Sequence, residues 1–224
     1  MTYVRLHQPQ DGQQPEHEAP EKPREPQPKH RTSLLTSRVT PGMAVAVIGA
    51  IVVLRLFVVE TGIVEGRSMM NTLEPGNRIL VLKPMEPRRY DVVLLTDPQT
   101  GLTDVKRVIG LPGDTVALVP EVSRGPAGEI TVLSTQLYLN GQLYREPYVS
   151  SPSLMPVSPT KLDRDSYFVL GDNRAISVDS ATYGPIKRDR IRGVAVAVIL
   201  PPQRVRWLLG SAEPAAPVRG EAFQ

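Results

Sequence analysis

"DVKRVIGLPGDTVALV", residues Asp104 to Val119, sets two β-branched runs on either side of a Gly-Leu-Pro-Gly-Asp break. Val105, Val108 and Ile109 precede the break and Val116 and Val119 follow it, a spacing too short and too punctuated for helix. The reading is two strands joined by a turn, and the pattern recurs. "RILVLK" (78–83), "YDVVLLT" (90–96), "EITVL" (129–133), "SYFVLGD" (166–172) and "GVAVAVIL" (193–200) are further runs of this kind. "QLYLNGQLYRE" (136–146) adds a hairpin signal, because Asn140-Gly141 suits a two-residue primed turn between alternating strands. No amphipathic helix of useful length interrupts them. The body is therefore expected to be mainly β, built from antiparallel sheet.

Ahead of this body stands the longest apolar run, Met43 to Leu54, with Arg55 interrupting it and Leu56 to Val59 resuming. Seventeen helical residues span about 26 Å, close to a hydrocarbon core of about 30 Å. A cleaved leader should start with a short basic stretch and end in a small-x-small site; this run has neither. A buried soluble helix should carry a polar face, and residues 43–54 carry none. A single transmembrane anchor over 41–60 is expected. Arg24, Lys29, Arg31 and Arg38 precede it, whereas only Arg67 and Arg78 occur in the twenty residues after it. Positive charge favours the cytoplasmic side, so the N-terminus is placed in the cytoplasm and the body outside, at the plasma membrane. Residues 1–40, rich in Gln, Pro, Glu and Lys, read as a disordered cytoplasmic arm. Residues 61–202 form the extracytoplasmic body, and 203–224 a flexible tail in which Trp207 could meet an interface.

Composition narrows the chemistry. The 224 residues contain no cysteine, so thiol nucleophiles, thiolate metal sites and disulfides are excluded together. The net charge is +3 and its basic residues are scattered, which argues against a nucleic-acid partner and suits a surface beside anionic lipid. The three histidines, His7, His17 and His30, all precede the anchor. A Ser-His-Asp triad and His-ligated metal are thereby excluded from the body, and no metal or cofactor is expected. Asp91, Asp97, Asp104 and Asp114 stand where turns and strand edges need them.

A serine activated by lysine remains possible. Lysine ordinarily titrates near 10.4 and must be kept neutral by desolvation to act as a base. The expected setting is an apolar strand without an adjacent carboxylate. Lys106 fits, flanked by Val105, Val108 and Ile109, with strand alternation turning it from Arg107. The commoner reading of such a lysine is a partly exposed strand residue.

Three stretches in order behind an anchor, "GRSMMNTLEPG", "KRVIGLPGD" and "GDNRAISVDSATYG", resemble the successive boxes of bacterial type I signal (leader) peptidases, which are Ser/Lys serine proteases. The likeness runs over about residues 40–200. It implies a signal-peptidase-like β catalytic domain with a smaller β subdomain inserted at about 115–165. Ser68 then matches the nucleophile and Lys106 the general base. Ser177 matches the hydroxyl that orients the lysine amine. Asp179 and Arg107 match buttressing groups, and Gly171, Asp172 and Asn173 shape the adjoining turn. Met69, Leu73 and Val105 match substrate-binding positions. The oxyanion hole would use the Ser68 backbone N–H, since Gly66 stands where some members carry a further serine.

Three positions depart from the family pattern. Asn71 replaces a usual proline, leaving the "MNTL" turn less rigid. Ala181 replaces a usual arginine, so Asp179 must pair elsewhere, with Arg107 or Arg174. Tyr90-Asp91 stands where Gly-Asp usually opens a strand. The implied substrates are secretory preproteins cut after small residues of Ala-x-Ala type, with the bilayer and the translocon as partners. A dedicated processing protease of the same chemistry, and an inactive membrane-tethered peptide-binding β domain, are the alternatives.

Overall fold

The computed structural model describes residues 40–210; the arm up to residue 39 and residues 211–224 of the expected tail lie outside the described residues. Helix α1, Pro41–Val53, is capped by Thr40, whose Oγ1 accepts from the Met43 N–H, and Pro41 sits where no N–H is required. A π-helical turn, Leu54–Val58, prolongs it. Together they give 18 residues of mean hydropathy 2.3, none of them buried against the rest of the protein.

The helix runs without a linker into strand β1, Val59–Ile63. Lys83 ties the junction, donating its backbone N–H to Val58 O and its Nζ to Leu56 O, both at 3.0 Å. Further strands are β2, Arg78–Leu82; β3, Val92–Thr96; β4, Thr103–Gly110; β5, Thr115–Arg124; β6, Ile130–Leu139; and β7, Gln142–Tyr144. The remainder are β8, Val157–Lys161; β9, Ser166–Leu170; β10, Ile186–Lys187; β11, Ile191–Leu200; and β12, Arg206–Trp207. Helix α2 is one short turn, Ser180–Tyr183. The larger sheet runs β1-β2-β11-β3-β4-β9-β10 with β12 beside β11, and the smaller runs β7-β6-β5-β8. Every pairing between these strands is antiparallel.

The protein is thus mainly β, as the alternating runs require. Val92–Leu95 are all buried because β3 is central and covered on both faces. Two core clusters matter for the site. Met69, Leu73, Ile79, Leu94, Val105 and Leu208 pack in one. Ile109, Val116, Leu137, Leu162, Phe168 and Leu170 join the two sheets in another. A Cβ at Gly110 would lie 2.6 Å from both Leu162 and Val116, so only glycine admits this close approach of the sheets.

Several boundaries differ from the sequence reading. "EITVL" and "QLYL" are one strand, β6, because pairing with β5 carries both strands beyond their apolar residues. Asn140 and Gly141 take φ of 51° and 81°, as the primed turn demands. Residues 203–210 do not fray: β12 pairs with β11, Leu208 is buried, and its N–H donates to Val196 O at 2.9 Å. Trp207 itself is 73% exposed.

Candidate active site

Five residues beyond β1, the chain turns tightly at Ser68. Met70 N–H donates to Arg67 O and Leu73 N–H to Met69 O, closing the turn. Asn173 grips it from the opposite loop: its N–H donates to Ser68 O at 2.8 Å and its Nδ2 to Arg67 O at 3.3 Å. Below the turn Met69 and Leu73 are buried. Around Asn71, where the resemblance leads one to expect proline, the turn is held by hydrogen bonds from Thr72 Oγ1 to Asp172 and from Ser150 Oγ to Met70 O.

Lys106 enters from the middle of β4 and is 1% exposed, not the partly exposed lysine that its sequence setting suggests. Its Nζ lies 3.3 Å from Ser68 Oγ. The expectation of no adjacent carboxylate is overturned, because Lys106 Nζ also forms an ion pair with Asp104 Oδ2. Strand alternation explains this: residues 104 and 106 share a face of β4. Asp91, Asp97 and Asp114 do accept backbone N–H groups in turns. Asp104 differs in lying within β4: its Oδ1 accepts the Val105 N–H at 2.7 Å, while its Oδ2 meets Lys106 and belongs to the site.

More acid lies behind Lys106. Burial raises the Asp97 carboxyl, but N–H groups of Thr100 and Gln99 outweigh it, and with the Lys106 charge they hold it below the usual range. Burial, then the carboxylates of Asp179, Asp104 and Asp97, push the Tyr183 phenol well above its ordinary value.

Ser177 does not reach the amine. Its Oγ is buried without a hydrogen-bond partner among the described residues, and the contacts of Lys106 Nζ are to Ser68 and Asp104. Asp179 pairs with neither Arg107 nor Arg174; it accepts N–H from Gly171 at 2.9 Å and from Ala181 at 3.1 Å, capping α2. Each arginine has another carboxylate. Arg107, fully buried, makes a two-pronged contact to Asp172 at 2.8 and 2.6 Å, donates to Tyr90 O, and lies 4.4 Å over the Tyr148 ring. Arg174 grips Glu146 at 2.8 and 2.6 Å. Tyr90 has φ of 72°, a conformation that favours glycine, and its backbone is held there by Arg107 and by Val108 O.

Ser68 opens onto a groove of about 480 Å³ lined by β1, Gly66, Met69, Leu94, Leu102, Asp104, Val105 and Arg192. Met69 and Val105 line it, whereas Leu73 is core beneath it. Among the described residues β1 is paired on one side only, by β2, so its other edge is open there to an extended chain. A serine, an amine within hydrogen-bond reach, a strand edge and small-residue space together suit acyl transfer from a peptide.

Gly171 sets the spacing. A Cβ there would stand 2.6 Å from Ser68 O and 2.3 Å from Ser177 Oγ. Gly171→Ala is expected to shift Ser68 relative to Lys106 and to lower peptide cleavage at this site about 100-fold, as misplacement by about an ångström does. Steady-state rates beside a thermal melt will separate this from unfolding; undiminished cleavage would show that the turn yields freely.

Comparison with known proteins gives a consistent result. The family described as "Signal peptidase, peptidase S26" matches residues 37–200. A signal peptidase I of Leptolyngbya laminosa is 34% identical over 198 residues, 83% of this chain and 89% of that relative. One of Bacillus licheniformis is 33% identical over 177 residues, 72% of this chain and 87% of that relative. Signal peptidase I T of Bacillus subtilis (strain 168) is 34% identical over 179 residues, 73% of this chain and 85% of that relative.

Proposed function

The chain belongs to the signal peptidase family, peptidase S26, and is a serine endopeptidase; we propose that it removes N-terminal signal peptides from preproteins, with Ser68 as nucleophile and Lys106 as general base. The observation that carries this is the 3.3 Å separation of Lys106 Nζ and Ser68 Oγ, beside an open strand edge.

In the proposed cycle the neutral Lys106 amine takes the Ser68 proton as Oγ attacks the scissile carbonyl. The oxyanion is met by the Ser68 backbone N–H. The ammonium then returns its proton to the leaving amine, which departs with the mature chain. Water, deprotonated by the same amine, releases the signal peptide from the acyl-enzyme. Met69 and Val105 leave room for small side chains, which suits Ala-x-Ala sites, and the β1 edge pairs with an extended substrate.

Pro41–Val58 is proposed as a single-pass anchor, N-terminus inside, because basic residues gather before it. Its direct junction with β1 keeps the groove near the bilayer. Substrates tethered by their own apolar segments are then confined with it, which raises their effective concentration.

The test is labelling by a serine-directed acylating inhibitor, expected in the wild type and lost in Ser68→Ala. Equal labelling of the variant would overturn the assignment. Mass spectrometry of membranes depleted of the protein should then show many uncleaved precursors; one or two would favour a dedicated processing protease. Nothing lies within 4 Å of a Cβ built on Gly66, so Gly66→Ser has room to add an oxyanion donor. A rise in kcat of up to about tenfold is expected, and an unchanged kcat would mean that the added hydroxyl does not reach the oxyanion.

A further inference from the structure

An amine paired with a carboxylate is held as ammonium, and an ammonium cannot take the proton of Ser68. Asp104 Oδ2 is on Lys106 Nζ, yet the two side chains sit in different surroundings. The lysine side chain is 2% exposed and that of Asp104 30%. Asp104 also lines the groove that holds Ser68. Oδ1 of Asp104 accepts the Val105 N–H at 2.7 Å, and the rest of the carboxylate's hydration is the solvent that a substrate must displace.

We propose that Asp104 is a positioning residue that keeps Lys106 charged while the groove is empty and frees it when peptide fills the groove. This rests on the Ser68–Lys106 reading. A substrate strand along β1 covers Asp104 and removes its water. In a dehydrated site two full charges cost more than a neutral hydrogen-bonded pair. One proton moves from Nζ to Oδ2: an N–H bond breaks, an O–H bond forms, and the pair's net charge stays zero. Lys106 is left as an amine 3.3 Å from Ser68 Oγ, ready to accept its proton.

The other charges around the pair are fixed elsewhere. Asp97, in the turn after β3, is bound by the N–H groups of Gln99 and Thr100. Asp179 is held by Gly171 and Ala181, and Tyr183 of α2 faces these carboxylates as a neutral phenol. Arg107 points away to Asp172, and Arg192 in the groove meets Glu60 and Thr103. Asp104 is thus the carboxylate on Nζ that peptide can dehydrate.

The experiment compares pH profiles of kcat and kcat/KM for cleavage of a short Ala-x-Ala peptide by the full chain, as wild type, Asp104→Asn and Asp104→Glu. In the wild type kcat should rise at lower pH than kcat/KM, since the first reports the filled groove and the second the empty one. Asp104→Asn lacks the carboxylate, so the neutral amine exists at lower pH and the kcat/KM rise should move down by at least about one pH unit. Asp104→Glu should keep the wild-type order of the two profiles. An Asp104→Asn profile that overlays the wild type would overturn the proposal. The dyad itself fails differently, by activity surviving in Lys106→Met at every pH.

Discussion

Precursor cleavage should fall by at least about 10³-fold in Ser68→Ala and to the same floor in Lys106→Met, with the double variant no slower than either. The reasoning is geometric. Ser68 Oγ has a base in reach only in Lys106 Nζ among its described contacts, so removing the hydroxyl or the amine disables one and the same step. Groups that act as a unit lose their effect together, and their losses do not add. What survives is positioning by the groove and the main-chain donor. Lys106→Met is preferred to alanine because the amine's stem is buried in β4 and methionine keeps most of its volume. Asp104, left without its partner, is open enough to be hydrated. The melting temperature should therefore stay near that of the wild type, and cleavage can be measured on folded protein. Losses that multiply in the double variant would mean that the two residues act at separate steps.

How far the sequence could foresee this depended on the kind of signal. Strands β3, β4, β9 and β11 were legible because each is a β-branched run covered on both faces or one. β8, "VSPTK", was not: it is an exposed edge strand held by pairing to β5, with little apolar pattern to read. β12 is two residues long and exists through β11. β1 was hidden at the end of the apolar anchor. In the site, Ser68 and Lys106 carried local signals, and they do meet. Asp104 was available from the same alternation that separates Lys106 from Arg107, since a step of two returns to the same face. Glu146, Tyr148 and Ser150 had no local sign, because their partners Arg174, Arg107 and Met70 are remote in sequence. The partner expected for Asp179 was missed for a related reason: each arginine lies against another carboxylate, and a helix cap consumes the aspartate.

Asp172→Ala should cost about 3–5 kcal/mol of stability, which for a body of this size lowers the melting temperature by roughly 6–20 °C. Arg107 and Asp172 are both completely buried, and their two-pronged contact compensates two charges that could not otherwise leave water. Their mutual attraction is not the source of the expected loss. It comes from the guanidinium that alanine would strand, with Tyr90 O, Thr72 Oγ1, the Tyr148 ring and the more distant charge of Asp91 around it but no carboxylate in direct contact among the described residues. Cleavage should suffer as well, because Asp172 also accepts from Thr72 in the turn that carries Ser68, and its neighbour Asn173 holds Ser68 O. Asp172→Asn retains a side chain able to accept one of these hydrogen bonds and should lose less than alanine does. Arg107→Met with Asp172→Leu removes both charges together and should recover part of the stability lost by Asp172→Ala, though not the activity, because the Thr72 contact is gone. Circular dichroism melts in detergent beside cleavage rates will read both arms. If Asp172→Ala melts with the wild type, Arg107 has found water or another anion, and the buried pair does not carry the stability assigned to it.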